Sequence, residues 1–261
     1  MRLAAVGDNC MDVYDAIGEV YPGGNPVNVA VYFVRLGGVA SYTGAVGTDS
    51  YGKLMVDALA SKGVDTSHVH FLEGNTAVTH VELVNGERVF GDYDEGVLAD
   101  FKLSEEDISF LCSHDMVVSG LWGKVEKDLR KIRARGIKVA FDAATRPDDP
   151  AAVTAIPDVN YLFFASDEGD TQTLRDKMRE IYEKGPELVI ATLGEQGSIV
   201  YNGSEYIKYG IVPCDVVDTM GAGDSYIAGF LKGLLEGKEI IECMKVGAYN
   251  ASITLGYRGA W

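Results

Sequence analysis

Asp218-Thr219-Met220-Gly221-Ala222-Gly223-Asp224 puts small residues and a carboxylate where the pattern changes from strand-like to helical. Before it, Ile211 to Val217 reads as a short buried strand; after it, Ser225 to Leu235 is apolar at helical spacing. Small residues at 221–223 let an anion approach the backbone, where the free N–H groups and dipole of a helix start favour negative charge. Asp224 in that first turn would repel a bound phosphate, so its presence suits chemistry. The simplest such chemistry is removal of a proton from an attacking hydroxyl. The same residues also describe a plain capped helix, with Asp218 or Thr219 as cap and Asp224 complementing the dipole. On this turn alone the two readings stand level.

Other small-residue turns offer it company. Gly7-Asp8-Asn9-Cys10-Met11-Asp12 follows the strand Leu3 to Val6 and supplies two carboxylates and an amide. Tyr21-Pro22-Gly23-Gly24-Asn25-Pro26-Val27-Asn28 leads into a helix over Pro26 to Leu36, with Asn25 placed as cap and Pro26 at the first helical position. Acids and amides beside glycines suit a polyhydroxylated ligand, because each sugar hydroxyl needs a donor and an acceptor. Turn and cap duty explains either segment singly, but two such segments feeding one edge favour a sugar. Thr192-Leu193-Gly194-Glu195-Gln196-Gly197 follows the strand Leu188 to Ala191; its glycines suit nucleotide phosphates or a plain hairpin connection. Gly47 to Leu54 has P-loop spacing, yet Leu54 stands where a Mg²⁺-binding Ser or Thr belongs and Asp49 would repel phosphates, so it is rejected. No HExxH, GxSxG or CxxC pattern occurs, which weakens zincin, serine hydrolase and redox readings.

The elements that must position these turns alternate. Ala40 to Val46 is strand-like and Tyr51 to Lys62 helical; short alternating runs follow at Val69 to Leu72, Thr76 to Val84 and Arg88 to Tyr93, with Asn85-Gly86 as a hairpin turn. From Ser104 helices and strands take turns: a helix opening at Ser104-Glu105-Glu106-Asp107, strands Met116 to Val118, Lys138 to Phe141, Tyr161 to Phe164 and Leu188 to Ala191, and helices over Lys124 to Arg135, near Ala151 and over Thr171 to Lys184. A hairpin, Ser198 to Tyr201 with Tyr206 to Tyr209, and two helices ending near Tyr257 complete the chain. Such alternation implies an α/β fold, a mostly parallel sheet with helices on both faces, whose ligands bind beyond the carboxyl ends of the strands. Residues 1–261 read as one domain carrying a small β excursion.

Composition narrows the partners. A net charge of −16 argues against nucleic acid, whose phosphates require a basic surface. No apolar run reaches the length of a membrane span, and Met1 to Asp8 lacks the pattern of a signal peptide, so a cytoplasmic location is expected. Cys10, Cys112, Cys214 and Cys243 form no metal-like pair, and three lie in apolar runs that predict buried free thiols. His68, His70, His80 and His114 share no helical face and read as surface or satisfied core groups.

Taken together and in order, these segments resemble the ribokinase-like family of carbohydrate kinases, which includes the minor type of phosphofructokinase. Gly23-Gly24 with Asn28 is similar to the family's sugar-binding glycine signature, and Asp12 to the acid that holds sugar hydroxyls. Thr192 to Gly197 resembles the nucleotide loop, in which Thr192, Gly194 and Gly197 would meet ATP together with Gly221 and Ala222. The resemblance implies Asp224 as general base and the N–H groups of Gly221, Ala222 and Gly223 as an anion hole. It also implies ATP with Mg²⁺ and, through the segment Ala251 to Ala260, a monovalent cation such as K⁺. A closer likeness, through Gly7 to Cys10, Asn28 to Tyr32, Arg88 to Tyr93 and Gly259-Ala260-Trp261, is to the fructoselysine 6-kinase subgroup, which would phosphorylate the 6-hydroxyl of a fructosamine. The conjugated lysine would then meet Arg88, Asp92 and Glu95, and Trp122 would pack on the sugar.

Three departures stand out. Only ten residues separate Asp12 from Gly23, so the first lid segment is reduced; Ala165-Ser166-Asp167-Glu168 replaces the usual Asn near a Glu, which leaves the metal ligands open; and Asp142-Ala143-Ala144-Thr145-Arg146 lacks the common middle Asn. The expected lid spans 76–95 with a contribution from 12–22, and its open edges suggest a homodimer through the lid. Rival readings are a same-family kinase for another sugar or a nucleoside, and a non-catalytic sugar-binding module. A dehydrogenase is disfavoured because no GxGxxG follows the first strand.

Overall fold

A computed structural model describes residues 1–15, 17–84 and 87–261, with the backbone alone described over 82–84 and 87–90. The Asn85-Gly86 turn therefore lies outside the described residues, as does the Arg88 side chain. A nine-stranded sheet forms the centre, from strands β1 (Arg2–Val6), β4 (Val39–Gly47), β5 (Asp65–Leu72), β8 (Met116–Gly120), β9 (Lys138–Asp142), β10 (Tyr161–Ala165), β11 (Leu188–Thr192), β12 (Ser198–Tyr201) and β13 (Tyr206–Tyr209). Its order is β13-β12-β11-β10-β9-β8-β1-β4-β5. The pairs from β5 to β11 are parallel, and β12 and β13 close that edge as an antiparallel hairpin. The run Val69 to Leu72, grouped in sequence with the β excursion, instead ends β5 in the main sheet.

Period-two alternation explains the layers. Leu3 and Ala5 of β1 face a core shared with helices α1 (Asn25–Arg35), α2 (Ser50–Ser61), α7 (Ala222–Leu235) and α8 (Ile240–Thr254). Ala4 and Val6 face the opposite core, built with α3 (Glu105–Leu111), α4 (Leu129–Ala134), α5 (Pro150–Ala155) and α6 (Gln172–Tyr182). Both faces are thus covered, as a parallel sheet requires. Several starts follow their local signals: Ser104 and Asp107 form a reciprocal capping box, and Asp49 of the rejected P-loop caps α2 by accepting from Gly52 N–H. Helix α4 is shorter than its apolar pattern predicts, beginning at Leu129 because Lys124 takes a left-handed φ of 59° that breaks the helix path.

Strand β1 is flanked in the sheet by β4 on one side and β8 on the other, so a crevice opens at the carboxyl ends of β1 and β8. Over it stands a second sheet, β3-β2-β6-β7, from β2 (Cys10–Tyr14), β3 (Glu19–Gly23), β6 (Val78–Val84) and β7 (Glu87–Asp94). Residues 10–14 and 19–23, which carry little strand signal of their own, are strands because β2 finds β6 in parallel and β3 in antiparallel register.

One sequence expectation fails. Ile211 to Val217 is not a buried strand but an exposed connection, with Val216 62% and Val217 56% accessible. The segment adds no strand to the sheet, which ends at β13, and Val217 N–H instead donates to Leu255 O after α8. Cys214 is consequently exposed, Cys10 and Cys112 are half-buried, and only Cys243 is a buried thiol.

Candidate active site

The crevice collects three carboxylates from distant parts of the chain. Asp8 follows β1, Asp142 ends β9, and Asp224 sits in the first turn of α7. Asn25 holds two of them: its Nδ2 donates to Asp142 Oδ2 at 2.8 Å and to Asp224 Oδ1 at 2.6 Å. Asn28, one turn further along α1, donates from Nδ2 to the other Asp224 oxygen at 2.7 Å. Asn25 is therefore not the cap that its position before Pro26 suggests. Gly24 takes the cap position with φ 113°, and Asn25 enters the helix with its amide committed to the acids.

Gly24 is required there. Any side chain would adopt a rare backbone conformation and meet the Asn9 main chain at 2.7 Å. This close approach brings the start of α1 onto the Asp8-Asn9 turn, which aims two amides of one helix face at Asp224. Gly23 abuts the Asp12 carboxylate at the far side of the same turn, and Asp12 is buried on β2. Asp12, Gly23, Gly24, Asn28 and Asp224 thus form one contiguous lining.

Burial with like charge shapes the electrostatics. Burial, then the negative charge of Asp142, push Asp224 up to about 8, against the opposing bonds from Asn28 and Asn25. Burial raises Asp142 to about 7, with the Asp8 charge adding to it, and burial raises Asp8 to about 6. A carboxylate held so far above its ordinary range is a stronger base when ionised, which suits a proton acceptor. Asp8 Oδ1, Asn25 Oδ1 and Ser119 Oγ are buried without a protein partner among the described residues, a polar lining that a hydroxylated ligand would satisfy.

The turn before α7 is built for close approach. Gly221 caps the helix in the left-handed region at φ 71°, and a Cβ there would meet the Tyr32 hydroxyl at 2.2 Å. Gly223 faces open space, with no atom within 4 Å of the point a Cβ would occupy. Ala222 N–H is partly engaged, donating to Thr219 O at 3.3 Å, so the anion hole is less uniform than the three-residue expectation. Asp218 accepts from Met220 N–H at 3.0 Å and so fixes the turn's entry.

The remaining predicted residues are spread along the same edge. Thr192 ends β11, two strands beyond β9, and Gly194 and Gly197 shape a tight turn into β12. Trp122 and Lys124 follow β8 and line a cavity of about 420 Å³ with Glu95, Glu126 and Lys127, rather than the carboxylate cluster. Lys124 pairs with Glu95 at 2.9 Å. Asp92 is exposed on β7. Among the described residues no three His, Cys, Asp or Glu groups converge to hold a metal. The histidines are satisfied: His68 and His70 both bond Asp107, His114 bonds Ser41, and His80 bonds Asp15.

Asp8, Asn25 and Asp142 are absent from the residues singled out by sequence as site residues, although the segments containing them were. Their spacing carries no local signal, since residues 8, 25, 142 and 224 meet only through sheet order.

Known proteins are similar to this chain over nearly its whole length. The model of the pfkB family carbohydrate kinases matches residues 10–261. A fructoselysine 6-kinase of Escherichia coli strain K12 is 44% identical, covering 99% of this chain and 99% of that protein. A fructosamine kinase of Bacillus subtilis strain 168 is 32% identical over 100% of this chain and 93% of its own length. The solved structure of Arabidopsis thaliana ribokinase complexed with ribose and ATP matches with a TM-score of 0.89 at 23% identity, covering 99% of this chain and 93% of that one, a likeness of fold. A fold, a site and a family model that agree over nearly the whole length leave one conclusion: the chain belongs to the pfkB family of carbohydrate kinases.

Proposed function

We propose that this kinase transfers the γ-phosphoryl group of ATP to the 6-hydroxyl of fructoselysine or a close fructosamine, giving the 6-phosphate and ADP. The observation that carries the chemistry is Asp224, raised by desolvation and then by its acidic neighbours, and held by two amides in the first turn of a helix with an open glycine start. The similarity to fructoselysine 6-kinase over 99% of both chains carries the choice of acceptor.

In this reading Asp12, Gly23, Gly24 and Asn28 hold the sugar, and Asp224 accepts the proton of the attacking hydroxyl. The helix start at Gly221, Ala222 and Gly223 receives the charge of the transferring group, which asks mainly for alignment and electrostatic stabilisation. Thr192, Gly194 and Gly197 lie where the rest of the nucleotide would run along the strand ends, and the exposed apolar residues Val216 and Val217 suit a purine face. Mg²⁺ would arrive on the phosphates and supply charge neutralisation. The donors after β10, Asp167 and Glu168, offer only oxygen and fit a hard ion that keeps most of its waters. A monovalent cation would belong where the 215–218 connection meets the α8 end, at which Val217 and Asp218 N–H groups donate to Leu255 O.

The lysine end of the acceptor fits the cavity after β8. Gly120 abuts Asn25 and Gly123 abuts Gly7, so this loop leads from the carboxylate cluster to Trp122, Lys124 and Glu95. An exposed Glu–Lys pair can trade partners with the ammonium and carboxylate of an amino acid, and Trp122 at 41% exposure offers an apolar wall. The second sheet would act as a lid that excludes water, with Asp92 and Arg88 on its β7 strand, and its outer strands β3 and β7 would pair two copies into a dimer. We place the enzyme in the cytoplasm; no helix among the described residues is long and apolar enough to cross a membrane.

A coupled ADP-release assay tests the reading with fructoselysine, fructose, ribose and adenosine as acceptors. The expected result is the highest kcat/KM for fructoselysine. A higher value for a free sugar or the nucleoside would overturn the assigned acceptor.

A further inference from the structure

The amide of Asn28 has two ends, and both are committed. Nδ2 donates to Asp224 Oδ2 at 2.7 Å, and Oδ1 accepts from the indole Nε1 of Trp261 at 2.7 Å. An asparagine amide is nearly isosteric about its long axis, so only its partners decide which end faces a carboxylate. The indole N–H can only donate, and an ionised carboxylate can only accept. One orientation satisfies both; a protonated Asp224 could also donate to the amide oxygen, and Trp261 is the partner that holds the orientation in that state.

Trp261 is itself held from several directions. Ala260 is buried, and its carbonyl accepts from the hydroxyls of Tyr32 and Tyr257. Gly259 N–H donates to Asp218 Oδ2 at 2.8 Å, at the entry of the turn that caps α7. Arg35 donates to the Tyr257 hydroxyl at 2.8 Å and stacks at 4.6 Å over the Tyr32 ring. The segment 257–261 therefore grips α1 and the 218–224 turn together, the two elements whose relative position sets the Asn28–Asp224 bond. Gly259 also stands beneath Tyr21 of β3, where a Cβ would lie 3.6 Å from the ring.

We propose that Trp261 is a positioning residue for phosphoryl transfer: its indole N–H locks the Asn28 amide so that the amide nitrogen, not the oxygen, faces Asp224. This rests on the reading of Asp224 as the proton acceptor. Without the indole N–H the amide is free to turn its oxygen toward a protonated Asp224 and accept from its hydroxyl, which stabilises the neutral form over the ionised one. Among the described residues the titratable groups facing Asp224 are Asp142 and Asp8 from the sheet edge and the Tyr32 phenol from α1, so no cation among them replaces the lost donor. Proton affinity of Asp224 then rises, and its ionised, active form becomes scarcer at neutral pH.

The test is Trp261→Phe, which keeps an aromatic ring and deletes the N–H. The acid limb of its kcat/KM profile is expected to move upward by roughly half to one pH unit. Turnover should fall roughly 3- to 10-fold at neutral pH and recover at high pH, with KM for ATP unchanged. A second measurement needs no turnover. The chain has two tryptophans, so the ¹⁵N-indole spectrum shows two resonances, and the one missing in Trp261→Phe is assigned to Trp261. That resonance should titrate with the carboxylate cluster in the parent and lose the step in Asp224→Asn. A superimposable pH profile, a uniform loss of rate at every pH, or an indole signal indifferent to pH would overturn the proposal. Near-normal turnover in Asp224→Asn would instead overturn the proton-acceptor reading on which it rests.

Discussion

The main sheet's carboxyl edge and the four-stranded second sheet differ in how their polar groups are held. At the edge, Asp224 receives two amide donors, Asn25 bridges two acids, and the backbone of Gly24 is fixed by contact with Asn9. On the second sheet and the loop it overhangs, Asp92, Trp122, Lys124 and Glu95 are exposed or half-exposed and rely on single contacts. Over-determined geometry suits the invariant step of the reaction, the alignment of hydroxyl, phosphate and base. Loosely held groups on a thin sheet suit the choice of acceptor, because they can change without disturbing that alignment. Substitutions should therefore separate: those at the edge should act on kcat, and those around the second sheet on KM for the acceptor.

The largest effect is expected from Asp224→Asn, which should lower kcat by roughly 10²- to 10⁴-fold while ATP binding, measured by calorimetry, persists. Retained turnover would dissolve the contrast between the two regions. Gly221→Val comes next, at roughly 10²- to 10³-fold in kcat, because a side chain strains the left-handed turn and strikes Tyr32, displacing donors from the transferring group. Wild-type kcat/KM should fall as pH drops through the range from about 8 to about 6 set by Asp224, Asp142 and Asp8, titrating as a coupled cluster rather than as three separate sites. A flat profile across that range would remove the cluster from the mechanism.

Stability should respond in the opposite sense. The folded cluster binds protons more tightly than an unfolded Asp at 3.8, so its ionisation costs stability increasingly as pH rises from about 4 through about 8. Asp224→Asn should thus raise Tm near pH 8, by roughly 2–4 °C for each kcal/mol relieved, with the gain shrinking near pH 4. The smallest effects belong to the second region. Trp122→Ala should raise KM for fructoselysine roughly 10-fold and Glu95→Gln roughly 2- to 5-fold, each with kcat retained. A fall in kcat instead would show that these groups share in alignment and would blur the comparison.

Sequence patterns exposed the parts that depend on neighbours in the chain. The order of strands and helices from Ser104 to Tyr209, with its closing hairpin and the cap at Ser104, follows from periodicity and local donors, and the structure contains each of them. Asp12, Gly23-Gly24, Asn28 and the 218–224 turn were visible as small residues beside acids and amides. Ile211 to Val217 misled because apolar β-branched residues mark burial or ligand contact equally well, and only the absence of a neighbouring strand position decides between them.

By itself, the sequence determined an α/β fold, the turn that begins at Asp218 and the acid within it, because short-range sterics and hydrogen bonding need no distant partner. Tertiary structure alone decided that Asp8, Asp142 and Asp224 share one site, that Asn25 serves the acids rather than its helix, and that Trp261 governs the Asn28 amide. These contacts join residues as much as 233 positions apart. Their energies come from burial and mutual charge, quantities that exist only after the sheet order has brought the strand ends together.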